Sequence, residues 1–200
     1  MVIKSAFISI TLLLCMVSPK TQAQERHAYE ITLAGFTIGE MEATKLYKQD
    51  TAVYLLKSEV SFWLFGRINV DYLTEVKYHN GQFVRSTVRS STNRGNFLSR
   101  IWLQDEVYEV RANSYRYELD TQVHEEIDYS AVRLFFEEPK DISKMMAENY
   151  GQFCMVTPLG EGMYDTLVEG NKNRYHYKDG KMQKAVMQSP IKNYVIRRKE

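Results

Sequence analysis

The polar group in this sequence that most suggests chemistry is Arg133, four residues after Tyr129 and four before Glu137 in an otherwise apolar stretch. On a helix, that spacing puts all three on one face, where an Arg–Glu pair forms readily. If the face is buried, the guanidinium has to be paired, because an isolated buried charge is too costly to keep. Two roles fit: a structural ion pair tying the segment to the rest of the fold, or an anchor for a ligand carboxylate or phosphate. The structural pair is the commoner outcome.

Other candidates for chemistry are few. Cys154 lies between Phe153 and Met155, whereas a nucleophilic thiol needs a lowered pKa and a positioned base. A buried, inert cysteine is expected. His27, His79, His124 and His176 are far apart, while a metal site needs three or four converging ligands, so each is expected at the surface. His124 with Glu125 and Glu126 reads as a solvated charged face. No Gly-x-Gly-x-x-Gly, Walker, His-Glu-x-x-His, Gly-x-Ser-x-Gly or Cys-x-x-Cys sequence occurs. A non-enzyme without catalytic residues, metal or cofactor is the expectation.

Two aromatic clusters complete the set. Phe62, Trp63, Leu64 and Phe65 follow one another without alternation, and Leu134, Phe135 and Phe136 do the same. Some of these rings must leave the main core face, to pack under a neighbouring element, line an apolar cavity or project at a strand end. Candidate ligand contacts are therefore Phe62, Trp63, Phe65, Tyr129, Arg133, Phe135 and Phe136.

The elements that position these residues are strands. Over residues 67–78, Ile68, Val70, Tyr72, Thr74, Val76 and Tyr78 alternate with more polar neighbours, so one set faces a core and the other water. Asn80-Gly81 follows, a hairpin signal because both residues tolerate positive φ. Residues 83–91 return as the partner strand. Tyr29, Ile31 and Leu33 alternate before Gly35, and residues 39–47 and 51–64 continue the pattern. Further strands are expected over 97–103, 107–112, 115–119, 152–158, 163–169, 173–177, 181–188 and 194–198. Short strands at this spacing indicate an all-β, mainly antiparallel fold, a single barrel or strongly curved half-barrel. Between Tyr129 and Gly151 the period changes. Ile142, Met145 and Met146 recur at helical spacing, with Asp141 and Gly151 as cap and stop, which predicts one short helical insertion over residues 139–150. Residues 130–136 fit either a turn of helix or a strand.

Composition bounds the rest. The chain has 200 residues, 44% hydrophobic and 26% charged, with ten glycines, four prolines and a net charge of +1. These values exclude collagen-like and disordered classes and argue against a nucleic-acid binder. Residues 1–23 have the layout of a secretory signal: Lys4, an apolar run over 6–17 too short for the roughly 20 residues of a membrane span, then small residues Thr21 and Ala23 before a cut at Gln24. Leu14 before Cys15 does not suit lipoprotein processing. Residues 24–200 are then expected as a single antiparallel β domain with no transmembrane span and Cys154 as its lone cysteine, so stability rests on burial rather than on a disulfide.

Tyr29-Glu30-Ile31 with Gly35-Phe36-Thr37-Ile38-Gly39, and the stretch Tyr129-Ser130-Ala131-Val132-Arg133-Leu134-Phe135-Phe136-Glu137-Glu138-Pro139, resemble a family of small, β-rich exported proteins of unknown function from Gram-negative bacteria. The resemblance spans the chain after the leader and implies a periplasmic or outer-envelope location and β architecture, with no assigned activity. The functional expectation is a periplasmic binding module for a lipid-like or amphiphilic ligand. The alternative is an envelope adaptor that binds another protein through a sheet edge or aromatic patch.

Overall fold

The computed structural model describes residues 24–63, 66–93, 95–188 and 192–200. The leader expected over residues 1–23, and Leu64 and Phe65 of the first aromatic cluster, lie outside the described residues. Eight strands run in succession: β1 Gln24–Leu33, β2 Phe36–Lys48, β3 Thr51–Trp63, β4 Arg67–His79, β5 Gln82–Thr92, β6 Gly95–Gln104, β7 Val107–Ser114 and β8 Tyr117–Val123. After a 3₁₀ turn at Ala131–Phe135 come β9 Lys144–Ala147, β10 Gln152–Gly160, β11 Met163–Val168, β12 Asn171–Lys178, β13 Lys181–Met187 and β14 Tyr194–Arg198.

These strands form one antiparallel sheet of two meanders. Its order runs from β8 down to β1, then from β14 down to β9. The meanders join where β1 pairs with β14, as at Ile31↔Ile196. The expected all-β, strongly curved half-barrel is what forms. Edge strands β8 and β9 are not paired with each other. The predicted alternation in β4 is present, with Ile68, Thr74, Val76 and Tyr78 buried on the inward face. Asn80 and Gly81 have φ of 49° and 82°, as a type I′ hairpin requires.

Side chains close the seam between the two edges. The turn from β9 to β10 presses against β7: a Cβ on Gly151 would lie 2.3 Å from Val110 Cγ1, and Gly151 has a φ of 66°. Glycine is the residue that meets both demands. Asn149 donates to Ser114 Oγ at 3.0 Å, Ser99 donates to the Asn149 carbonyl at 2.8 Å, and Tyr117 donates to the Tyr150 carbonyl at 3.0 Å.

The helical insertion expected over residues 139–150 is not found. The helical turn lies earlier, at Ala131–Phe135, and Lys144–Ala147 is strand β9, paired with β10 through Met146↔Phe153. Met145, Met146 and Ala147 are all buried. A strand covered on both faces loses the period-2 signature, and two adjacent methionines then mimic a helical stripe.

Antiparallel succession sorts the turns to two ends. The turns after β1, β3, β5, β7, β9, β11 and β13 gather at one end, called the mouth. The turns after β2, β4, β6, β10 and β12 gather at the other, the base.

Candidate functional site

The base is stoppered by the connection between β8 and β9, whose 3₁₀ turn packs in the core with Val132, Leu134, Phe135 and Phe136 buried. Irregular backbone inside a barrel needs donors for its carbonyls, and strand tyrosines supply them. Tyr29 donates to the Phe135 carbonyl at 2.9 Å, Tyr177 to the Leu134 carbonyl at 2.7 Å and Tyr78 to Ser130 Oγ at 2.8 Å. Tyr164 reaches Glu138 Oε1 at 2.9 Å. The turn's N-terminus is capped from a distance: Ser130 makes no side-chain cap, and the Val132 N–H donates to Glu148 Oε1 at 2.9 Å. Glu148 is 4% exposed. Burial pushes its carboxyl up to about 7, and the backbone hydrogen bonds it accepts, that of Val132 first, pull the other way.

Arg133 is on the outer side of this stopper. Its Nε donates to Glu137, its Nη1 donates to the Asp128 carbonyl at 2.7 Å, and its guanidinium stacks 4.5 Å from the Tyr129 ring centre. Desolvation disfavours its charge, but the Glu137 carboxylate and hydrogen bond outweigh that and raise its pKa. The contacts expected from the Tyr129–Arg133–Glu137 spacing are therefore all made within the protein. Arg133 also borders a shallow depression at the base beside Asp50, Tyr54 and Tyr78.

Above the stopper lies a cavity of about 430 Å³. Its floor includes Ala131, Val132 and Phe135, and its walls include Met41, Leu56, Val60, Phe62, Ile68 and Val70 from one meander and Val168, Tyr175 and Ile196 from the other. Exposed Gln188 and Lys192 border it at the mouth. Tyr72, Tyr175 and Tyr194 line the wall, in addition to Tyr150 from the β9–β10 turn. Thr74 stands beside Tyr72 and Thr166 beside Tyr175. Burial raises the phenol pKa values of Tyr72, Tyr175 and Tyr194, that of Tyr194 to about 12. Unlike Tyr29 and Tyr177 in the stopper, none of these donates to a backbone carbonyl among the described residues.

The sequence-derived candidates are thus divided. Phe62 and Phe135 line the cavity. Tyr129 is buried, with its hydroxyl 3.3 Å from the Glu137 carbonyl. Phe136 packs edge-on to Tyr54 at 5.3 Å. Arg133 faces the base, and Trp63 projects into solvent at the mouth, 78% exposed. Sequence reasoning missed Glu148 and the cavity tyrosines. The tyrosines were visible as alternating strand positions, but nothing in the local sequence marks Glu148.

Cys154 is buried, as expected, and burial pushes its thiol up to about 12, which leaves almost no thiolate at neutral pH. His27 differs from its expected surface position. It is 8% exposed, held between Glu25 at 2.7 Å and Arg198 at 2.6 Å, because β14 and Phe136 cover it. Among the described residues no three His, Cys, Asp or Glu side chains converge as metal ligands, and no helix is long and apolar enough to cross a membrane.

Residues 29–199 match a family described as Domain of unknown function, DUF6134. A crystal structure of a beta-barrel-like protein of domain of unknown function DUF1849 from Brucella abortus is similar over 88% of this chain and 95% of that one. It aligns with a TM-score of 0.54 at 10% identity, a likeness of fold. No curated protein matches the chain.

Proposed function

The chain belongs to the DUF6134 family, and from its structure we propose that it is a non-enzymatic binding module for a lipid-like or amphiphilic ligand, exported to the periplasm or outer envelope of a Gram-negative bacterium. The observation that carries the proposal is the open, largely apolar cavity of about 430 Å³. Small-molecule sites are typically apolar clefts of about 300–1,000 Å³ with a few placed polar groups. Burying an alkyl chain there is favourable by about 0.8 kcal/mol per CH₂, and Tyr72, Tyr175 and Tyr194 are available to hydrogen-bond a polar head.

Filling the cavity tests the proposal. Wild-type protein is expected to bind a single-chain alcohol such as dodecanol, read by native mass spectrometry, and to release lipid on organic extraction. Val70→Phe, which narrows the cavity wall, is expected to weaken binding by tenfold or more at unchanged fold. Equal dodecanol binding by both proteins, or none by either, would reject the cavity as the site. The adaptor alternative draws support from Trp63, but the same tryptophan stands beside the cavity's opening.

A further inference from the structure

The most exposed aromatic side chains of the described residues are at the mouth, whereas Tyr47 and Leu159 at the base are 44% and 43% exposed. Phe36 and Trp63 are 76% and 78% exposed, and Tyr115 is 56% exposed. All three lie at mouth turns, Phe36 opening β2, Trp63 closing β3 and Tyr115 between β7 and β8. The β2–β3 pairing ends at Gly39↔Val60, and Phe36 and Trp63 each lie three residues beyond that last pair on their own strands. Arg67 pairs with Trp63 across the next hairpin. Exposed aromatics so placed are poorly solvated and are not needed by the core.

The charges at this end are mostly cations. Arg67, Arg116 and Lys192 form no ion pair among the described residues, while Arg116 lies 5.1 Å from the Tyr115 ring centre. The nearby acids Glu118 and Glu169 are each hydrogen-bonded to a side-chain amide, of Asn113 and Gln152 respectively. The base carries both signs, with Asp105-Glu106, Glu126 and Glu161 beside Lys48, Lys178 and Lys181 and Glu125 paired with Lys144. The mouth therefore sets the three most exposed aromatic side chains of the described residues among unpaired cations.

We propose that the mouth is a docking surface for an anionic phospholipid bilayer, with Phe36 and Trp63 inserted at headgroup depth and Arg67, Arg116 and Lys192 on the lipid phosphates. Aromatic side chains favour the membrane–water interface, and each Lys or Arg near an anionic surface adds about fivefold in affinity. Docked this way, the cavity opens onto the membrane. The docking stands independently of what the cavity holds.

The probe is the chain's own fluorescence. Trp102→Phe leaves Trp63 as the single tryptophan. Vesicles of phosphatidylglycerol and phosphatidylcholine are expected to shift its emission to the blue and to sediment the protein. Pure phosphatidylcholine vesicles are expected to bind at least tenfold more weakly. The double change Phe36→Ser with Trp63→Ser is expected to abolish sedimentation, and Arg67→Ser with Lys192→Ser to weaken it more than tenfold, both at unchanged melting temperature. Val70→Phe is expected to leave sedimentation intact, which separates docking from cavity binding. Absence of a shift with anionic vesicles, or equal binding to both compositions, would overturn the proposal. So would Trp63-dependent capture of an envelope protein without vesicle binding.

Discussion

Tyrosines on the same inward strand faces meet different ends in the two halves of the barrel. On β12, Tyr177 donates to a stopper carbonyl, while Tyr175, two residues away on the same face, lines the cavity. On β4, Tyr78 bonds Ser130 and Tyr72 lines the cavity. The side-chain type is alike, and on β12 so is the burial; what differs is whether the stopper lies within reach of the hydroxyl. At the base, the phenols do the hydrogen-bonding that a sheet ladder would otherwise do. Facing the cavity, Tyr72 and Tyr175 have threonines beside them, Thr74 and Thr166.

Large-to-small changes should expose that contrast most strongly. Leu134 is fully buried in the stopper, and Leu134→Ala is expected to cost about 4 kcal/mol in urea unfolding, from lost transfer energy and a new void. Leu56 already faces the cavity, so Leu56→Ala enlarges an existing space and is expected to cost less than half as much. Equal costs would mean that the cavity is collapsed in solution.

Glu148 sits on the boundary between the two halves, and its effect should appear as a pH dependence. Its folded pKa of about 7 lies above the ordinary carboxyl value of 4.5, so the folded state holds the proton more tightly. The associated stability is fully present below about pH 4.5 and is lost as the pH rises through 7. Unfolding free energy is expected to fall on the order of 3 kcal/mol from this group between those limits. Glu148→Gln retains an acceptor for the Val132 N–H and is expected to flatten that slope. A variant with the wild-type slope would exclude Glu148 as its source.

Arg133 offers a sharper discrimination. With its hydrogen-bonding nitrogens engaged by Glu137 and Asp128, Arg133→Met is expected to lower stability by about 1–2 kcal/mol. Dodecanol affinity should stay unchanged, because the guanidinium faces the base rather than the cavity. A weakened ligand with an unchanged melting temperature would restore the anchor role.

Strand positions were legible where one face meets water, as in β4, because alternation is then imposed by burial. They were illegible in β9, where burial on both faces removes the alternation. The Arg133–Glu137 pair was legible because it is local. The cap from Glu148 to Val132 crosses sixteen residues and leaves no local pattern. The aromatic clusters showed that some rings must leave the core without indicating which: Phe135 went to the cavity floor and Trp63 to the rim. Direction at a strand end depends on where the turn stops, which residue type does not fix.

The smallest expected effect is the most direct test of the tyrosine contrast. Tyr177→Phe leaves the buried Leu134 carbonyl without its donor and is expected to cost about 1–2 kcal/mol. Tyr175→Phe removes a hydroxyl that bonds no backbone carbonyl and is expected to change stability by less than about 0.5 kcal/mol, in the range of an uncoupled site. The ranking should invert when dodecanol binding is measured: Tyr175→Phe weakens it and Tyr177→Phe does not. Equal stability losses for the two would mean that the Tyr175 hydroxyl is already committed within the protein, leaving the cavity wall with less polar capacity for a headgroup.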